Sequence, residues 1–225
     1  MSQQRLSSKR ADAQILIVDD HPLVRRGLAE LITEEPGLAV CGDAATAAEA
    51  FDKVQAASPD LVVVDLSLKS GHGLQLLEQI RDHDDRIKLL VSSMHDESVY
   101  AARALRAGAS GYVNKQEAPN TVIEAIHKVL AGDVYLSSRM TNQMLQRAID
   151  PNLAETETEI DDLSNRELEV FEMIGQGLRT REIADGLALS VKTIESHREK
   201  IKTKLNLKNA SELAQRAVRW VLQNE

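Results

Sequence analysis

One cysteine stands in 225 residues, so no disulfide can form within the chain, and a reducing compartment suits it. That residue, Cys41, sits in the apolar run LAVCG and reads as a small buried hydrophobe, not a reactive thiol. Aromatic residues are scarce at 3%, which leaves little to stack unpaired bases and argues against single-strand recognition. No apolar run approaches the roughly 18 residues of a membrane span. The opening MSQQRLSSKRADAQ has no apolar centre, so residues 1–13 read as a disordered tail and not as a signal peptide. What the chain does have is 43% hydrophobic and 28% charged residues. That is the composition of a soluble globular protein, and the length suits two small domains.

The net charge of −8 argues against nucleic acid until it is divided. Residues 163–225 carry a net +2 and the remainder a net −10. Residues 192–208 hold six Lys/Arg against two Glu. An acidic regulatory part joined to a locally basic reader fits that asymmetry.

The acidic part alternates short apolar runs with amphipathic stretches. ILIV (15–18), LAVC (38–41), LVVV (61–64), KLLVS (88–92) and SGYV (110–113) predict strands. Helical patterns lie between them at about 22–34, 46–57, 73–82, 96–107 and 119–131. Five strand–helix alternations predict an α/β domain over 14–132, with a parallel sheet covered on both faces. Pro22 and Pro119 sit where helices start, and Gly108 and Gly132 where they stop. Residues 133–162 read as a linker holding one helix at about 138–149 and ending in the acidic DPNLAETETEIDD. From 163 to 225 only helices follow, at about 164–176, 180–187, 190–205 and 210–223, which predicts a small all-α domain.

The strand ends carry the chemistry. In an open parallel sheet, ligands bind at the carboxyl ends of the strands. Strand one there ends in Asp19-Asp20, strand three in Asp65 and strand four in Ser92-Ser93, while Lys115 follows strand five. Three carboxylates in one crevice repel each other, and an oxygen-seeking cation such as Mg²⁺ relieves the repulsion. A carboxylate, a hydroxyl and a lysine beside such a cation make a phosphoryl acceptor: the carboxylate attacks while metal and lysine neutralise the phosphoryl oxygens. Either serine could supply the hydroxyl. Three histidines near this end, His21, His72 and His95, lack metal-ligand spacing and read as surface or orienting residues.

Residues 15–131, through LIVDDHPLVRRGL, VVVDLSL, SSMHDE and ALRAGASGYVNK, resemble the receiver domain of two-component response regulators of the NarL/FixJ subfamily. The resemblance implies a flavodoxin-like strand order 2-1-3-4-5 and makes Asp65 the phosphoacceptor. It gives Mg²⁺ to Asp19, Asp20, Asp65 and the Ser67 backbone carbonyl. Ser93, immediately before Met94-His95-Asp96, would bind the phosphoryl group, Lys115 would pair with it, and Tyr112 would be the switch aromatic. Asn114 and Gln116 depart from the apolar surroundings usual for this lysine. Ser67 and His95, two residues beyond Asp65 and Ser93, sit where side chains could screen the phosphoryl group from water.

The second domain resembles a LuxR-type helix-turn-helix, in LSNRELEVFEMIGQGLRTREIADGLALSVKTIESHREKIKTKL. From the residues alone, Thr180 should cap a short helix, Ala188-Leu189 should turn, and Ser190 should cap the next helix. Val191, Ile194, Ile201 and Leu205 form its inward stripe. Its polar front, with basic flanks, fits a major groove. Lys192, Glu195, Ser196 and Glu199 are the base-edge candidates, Arg181, His197, Lys200 and Lys204 the phosphate candidates, and Thr193 a further DNA-binding candidate. Glu195 and Glu199 either accept from cytosine or pair with Arg198, Lys200 or Lys202. On the last helix, Leu213, Ala217, Trp220 and Val221 form a stripe that is either all core or partly a dimer surface; the resemblance implies the latter.

The expected protein is therefore a cytoplasmic DNA-binding transcriptional regulator. A sensor histidine kinase phosphorylates it, it dimerises when active on double-stranded promoter half-sites, and it does not engage a membrane. It is no turnover enzyme, beyond slow self-dephosphorylation. Two rivals exist: a regulator that works without phosphorylation, and an aspartyl-phosphate phosphohydrolase of haloacid-dehalogenase type. The second wants its nucleophile on the first strand and another aspartate two residues on, where this chain has Ser67.

Overall fold

Four consecutive buried residues, Leu61–Val64, form the central strand β3, as a strand covered on both faces requires. Beside it run β1 (Ala13–Val18) and β4 (Lys88–Ser93), with β2 (Leu38–Ala44) and β5 (Gly111–Asn114) at the edges. All pairings are parallel, in the order β2-β1-β3-β4-β5. The helices between them are α1 (Pro22–Glu34), α2 (Ala47–Ala57), α3 (Gly73–His83), α4 (Glu97–Arg106) and α5 (Pro119–Ala131). The computed structural model describes residues 12–68, 73–149, 160, 162–187 and 189–224. Most of the expected tail, the acidic run from 150 to 159, His72 and Ala188 lie outside them.

Strand alternation sorts the core. Ile15, Ile17, Leu61, Val63, Leu90 and Val113 pack against Ile32 of α1 and Val122, Ala125, Ile126 and Val129 of α5. The intervening Leu16, Val62, Val64, Leu89 and Val91, also buried, face the other side, where α2 contacts α3 and α3 contacts α4. Each such Val, Leu or Ile side chain contributes about 1.5–3 kcal/mol by leaving water. Pro22 and Pro119 occupy first helical positions, Thr46 and Asp96 accept from backbone amides at their helix starts, and Gly132 ends α5 with a left-handed φ of 97°.

The outer edge of β5 is occupied. Tyr135 forms a parallel bridge with Gly111: the Tyr112 amide donates to the Tyr135 carbonyl at 2.9 Å, and the Tyr135 amide to Ser110 at 3.0 Å. Glycine is needed at 111, since a Cβ there would lie 2.9 Å from Leu90 and 3.0 Å from Tyr135. The Lys128 ammonium sits 5.2 Å from the centre of the Tyr135 ring. The chain divides into two compact units between Leu136 and Ser137, inside the stretch read as linker.

The second unit holds α6 (Ser138–Ile149), α7 (Asn165–Gly175), α8 (Thr180–Gly186), α9 (Val191–Lys204) and α10 (Ala210–Asn224). α7 is the hub, touching α8, α9 and α10. Its start is a reciprocal cap: the Glu167 amide donates to Ser164 Oγ, and the Ser164 amide to Glu167 Oε2. Leu168, Phe171 and Ile174 of α7, Ile183 and Ala184 of α8, Ile194 and Ile201 of α9, and Leu213 and Ala217 of α10 are buried. Phe171 meets Trp220 at 5.8 Å. α7 and α10 approach so closely that a Cβ on Gly175 would lie 2.5 Å from the Ala217 carbonyl oxygen.

Three local expectations change. Thr180 does not cap α8: Arg179 is the N-cap residue, and its amide donates to Glu182 at 2.6 Å. That carboxylate, three residues on, satisfies the amide that a capping hydroxyl would otherwise leave to water. Val191 is 40% exposed, being the first residue of α9 and too early to reach the core. On α10, Leu213, Ala217 and Val221 belong to the unit's own core, whereas Val218 and Leu222 are exposed at 40% and 70%. Ser190 caps α9 as expected, accepting from the Thr193 amide.

Candidate functional site

The sheet's central strands set the acidic residues at one end. Extending the ladder by one bond each, the Asp65 amide donates to Val18 at 2.8 Å, the Asp19 amide to Ala44 at 3.1 Å and the Lys115 amide to Ser93 at 2.9 Å. The strand order reverses between β1 and β3, so the carboxyl ends splay apart there and leave a crevice. Asp19, Asp20 and Asp65 line it and are buried, at 1%, 9% and 2% exposure.

One ligand atom from each of Asp19, Asp20, His21 and Asp65 lies within 4.8 Å of the others. Lys115 Nζ bridges the cluster, 2.7 Å from Asp65 Oδ2 and 2.5 Å from Asp19 Oδ2. His21, exposed, orients the acids from the rim: its amide donates to Asp19 Oδ1 at 2.7 Å, and its ring Nδ1 lies 2.7 Å from Asp20 Oδ1. Arg25, which the sequence did not single out, donates to the Asp19 carbonyl at 2.7 Å while pairing with Asp43 at 2.6 Å. Three buried carboxylates against one lysine leave negative charge that a hard divalent cation can offset. The oxygen-rich donor set fits Mg²⁺. Ser67 extends the rim, its amide 3.3 Å from Asp65 Oδ1.

The two serines diverge. Ser93 is fully buried, and its Oγ accepts from the His95 amide at 3.2 Å. Ser92, also buried, faces a cavity that includes Asp65 and Lys115. Tyr112 is turned inward at 1% exposure, donating from its hydroxyl to the His95 carbonyl at 2.9 Å. Burial pushes that hydroxyl's pKa well above the ordinary tyrosine range, partly opposed by its hydrogen bond with Ser93. Asn114 donates to the same carbonyl at 3.3 Å. The His95 ring meets Ser67 Oγ at 2.8 Å and stacks on Tyr100 at 4.5 Å. His95 thus ties both loops at the mouth to β5, a role that spacing alone could not reveal.

On the second unit, Arg181, Lys192, Glu195, Ser196, Glu199 and Lys200 are exposed. Thr193 is half-buried, its hydroxyl 2.8 Å from Ser190 Oγ. Glu199 pairs with Lys202 at 2.9 Å, which accounts for one of the two awkward carboxylates. His197 is half-buried, with an Nδ1 that makes no hydrogen bond among the described residues; burial lowers its pKa. Lys204 is exposed, but its ammonium reaches back onto the domain: Nζ lies 2.7 Å from buried Glu167 and 2.8 Å from the Asp162 carbonyl. For Glu167, burial raises the pKa, but the bonds from Lys204 and Ser164 outweigh it and the net shift is downward.

An acid crevice at the carboxyl edge of a 2-1-3-4-5 sheet, followed by a helix-turn-helix, defines a response regulator. Residues 15–127 match the response regulator receiver domain, and residues 161–217 match the bacterial regulatory proteins of the luxR family. Response regulator UvrY of Escherichia coli O6:H1 is 35% identical over 93% of this chain and 95% of its own length. The oxygen regulatory protein NreC of Staphylococcus carnosus is 35% identical over 92% and 97%. A LuxR-family two-component response regulator from Aurantimonas sp. is similar in structure, with TM-score 0.58 and 38% identity over 62% of this chain and all of that one. Promoter-bound RcsB of Salmonella enterica shares the fold, with TM-score 0.64 and 23% identity over 92% and 98%. The chain belongs to the NarL/FixJ subfamily of response regulators, DNA-binding transcription regulators controlled by phosphorylation and not turnover enzymes.

Proposed function

We propose that Asp65 accepts a phosphoryl group from the phosphohistidine of a sensor kinase, and that this acceptance raises promoter affinity. The observation that carries the reading is the buried Asp65 carboxylate, 2.7 Å from Lys115 and clustered with Asp19 and Asp20. Asp65 attacks phosphorus, a P–O bond forms as the P–N bond breaks, and the imidazole leaves. Mg²⁺, held by Asp19, Asp20, Asp65 and the Ser67 carbonyl, supplies charge neutralisation for the phosphoryl oxygens when bound. Lys115, already in place, exchanges its Asp65 bond for one to a phosphoryl oxygen. The Ser93 hydroxyl donates a second, and Tyr112 of β5, hydrogen-bonded beside it, responds to the change.

Two charge-assisted bonds contribute about 1.5–3 kcal/mol each, less the bonds that Lys115 gives up. A full 1:99 to 99:1 reversal of population takes about 5.5 kcal/mol, so basal DNA binding persists without phosphate. Lys192, Thr193, Glu195 and Ser196 face base edges, with Arg181, His197 and Lys200 toward phosphates and Glu199 held by Lys202. Lys204 braces α9 against Glu167 of α7. Dimers form on half-sites through surfaces that include exposed Val218 and Leu222, in the cytoplasm, where kinase and DNA meet. Self-dephosphorylation is slow because the Ser67–His95 contact narrows the mouth.

Acetyl phosphate with Mg²⁺ should add one phosphoryl mass to the wild type and none to Asp65→Asn, and should tighten promoter binding only in the wild type. An Asp65→Asn protein that binds promoter DNA as tightly as the phosphorylated wild type would refute the scheme.

A further inference from the structure

Successive residues of an extended strand point to opposite faces. Asp19 and Asp20 are successive, directly after β1, yet both bury their carboxylates in one cluster. The chain must turn between them, and Asp20 sits in a bend. Two bonds hold that turn. The His21 amide donates to Asp19 Oδ1 at 2.7 Å. Arg25 Nη1 donates at 2.7 Å to the Asp19 carbonyl, the oxygen of the peptide that joins the two acids. The Asp19 amide still belongs to the ladder, bonded to Ala44 at 3.1 Å, so the strand stops and the turn starts within a single residue.

Arg25 is itself anchored. Its amide donates to the His21 carbonyl at 3.1 Å, and its Nε donates to Asp43 Oδ2 at 2.6 Å. Only 17% of its side chain is exposed. Asp43 stands opposite Ile17 in the β1–β2 register. Its carbonyl accepts from the Lys53 ammonium, which pairs with Glu49 at 2.7 Å. A guanidinium is planar, so fixing Nε fixes the direction in which Nη1 donates. Residues of β2 and α2 thus aim Arg25 at the Asp19 peptide.

We infer that Arg25 is a positioning residue for the cation site: it keeps the Asp19–Asp20 peptide turned so that both carboxylates meet one metal ion. The inference rests on Asp19 and Asp20 being Mg²⁺ ligands. Because the bond is to a backbone carbonyl, Arg25 takes up no carboxylate oxygen of the cluster. Position and charge then make opposite predictions. A cation beside three acids opposes Mg²⁺, so by charge alone Arg25→Ala, which also deprives Asp43 of its partner, tightens binding. By position, Arg25→Ala weakens it about tenfold or more, the lower end of the roughly 10- to 100-fold that follows when groups orienting metal ligands are removed.

The experiment titrates the full chain with Mg²⁺ by calorimetry, with the amide resonances of Asp19, Asp20 and Asp65 reporting that the ion binds at the crevice. Arg25→Lys keeps the charge without the fork and should bind about threefold more weakly or worse; it decides the question alone if Arg25→Ala does not fold. Arg26→Ala removes the same charge from an exposed neighbour and should not weaken binding. A second readout needs no metal: in Arg25→Ala, hydrogen exchange at the His21 amide should rise about fivefold or more while that of Val63 in β3 stays as in the wild type. An Arg25→Ala protein that binds Mg²⁺ as tightly as the wild type or tighter, or an Arg25→Lys protein indistinguishable from it, overturns the inference. So does an equal rise in exchange at Val63, which would make Arg25 a support of the whole fold. If Mg²⁺ leaves the Asp19, Asp20 and Asp65 resonances of the wild type unmoved, the metal assignment itself fails.

Discussion

Lys204 separates two physical roles that look alike in sequence, and its replacement by alanine can be worked through. As a phosphate contact, its loss would reduce the salt dependence of DNA binding by a slope of about 0.9 and leave folding alone. The structure instead turns Nζ onto Glu167, whose side chain is 6% exposed against 38% for Lys204. Removing the lysine strands a buried carboxylate that still accepts from Ser164. A hydrogen bond to a charged group is worth about 1.5–3 kcal/mol. Discounting for the lysine's partial exposure leaves about 1–2 kcal/mol. At roughly 4–8 °C per kcal/mol for a domain of this size, the melting temperature of the second unit drops by about 5–15 °C. The assay is built in. The chain has a single tryptophan, and Trp220 packs on Phe171 inside that unit, so its fluorescence follows the melting of that unit alone. Lys200→Ala, at an exposed position, is the control and should lower the salt slope without moving the melt. A double-mutant cycle with Glu167→Gln should return a coupling of at least about 1 kcal/mol, as residues in one ion pair do. A Lys204→Ala protein with an unchanged melt and a reduced salt slope would refute the inward role.

Three further outcomes follow from the same geometry. Glu167 titrates below its ordinary value in the folded unit. Its contribution is therefore fully present above the unfolded-state pKa of about 4.3 and is lost as pH falls below it toward the folded-state value; tryptophan-detected melts between pH 6 and 3 should show this, with a weaker dependence in Lys204→Ala. Gly175→Ala forces a methyl to within 2.5 Å of the Ala217 carbonyl, and should destabilise the second unit by about 1–3 kcal/mol, read in the same melt. Gly73→Ala drives a Cβ into the Asp65 carbonyl oxygen, so Asp65 or the start of α3 must move. Phosphorylation by acetyl phosphate should slow by tenfold or more while Trp220 fluorescence is unaffected.

Much of the first unit could be read before folding, because its signals are local. LVVV marks β3 to the residue, and Pro22 and Pro119 mark the starts of α1 and α5. The sheet order followed from the receiver resemblance, and the crevice residues from strand ends, which the parallel ladder brings together without long-range information. Three things escaped. The strands β1 and β2 run past their apolar runs, to Ala13 and Ala44, since ladder bonds continue where hydrophobicity stops. The carboxylate partner of Lys204 lies 37 positions away, so no spacing along α9 could show that this lysine also pairs with Glu167. His95 acts through its backbone carbonyl and amide as much as its ring, and no side-chain pattern encodes that.

The Tyr135 bridge matters for anyone who cuts this protein. Composition suggests ending the first unit at Gly132, but that truncation would strip the outer side of β5 and leave an open row of amides and carbonyls, a template on which further copies can add strands. Fragments carried through Leu136 keep the Tyr112 amide and the Ser110 carbonyl paired, and of the two they are the ones expected to stay in solution.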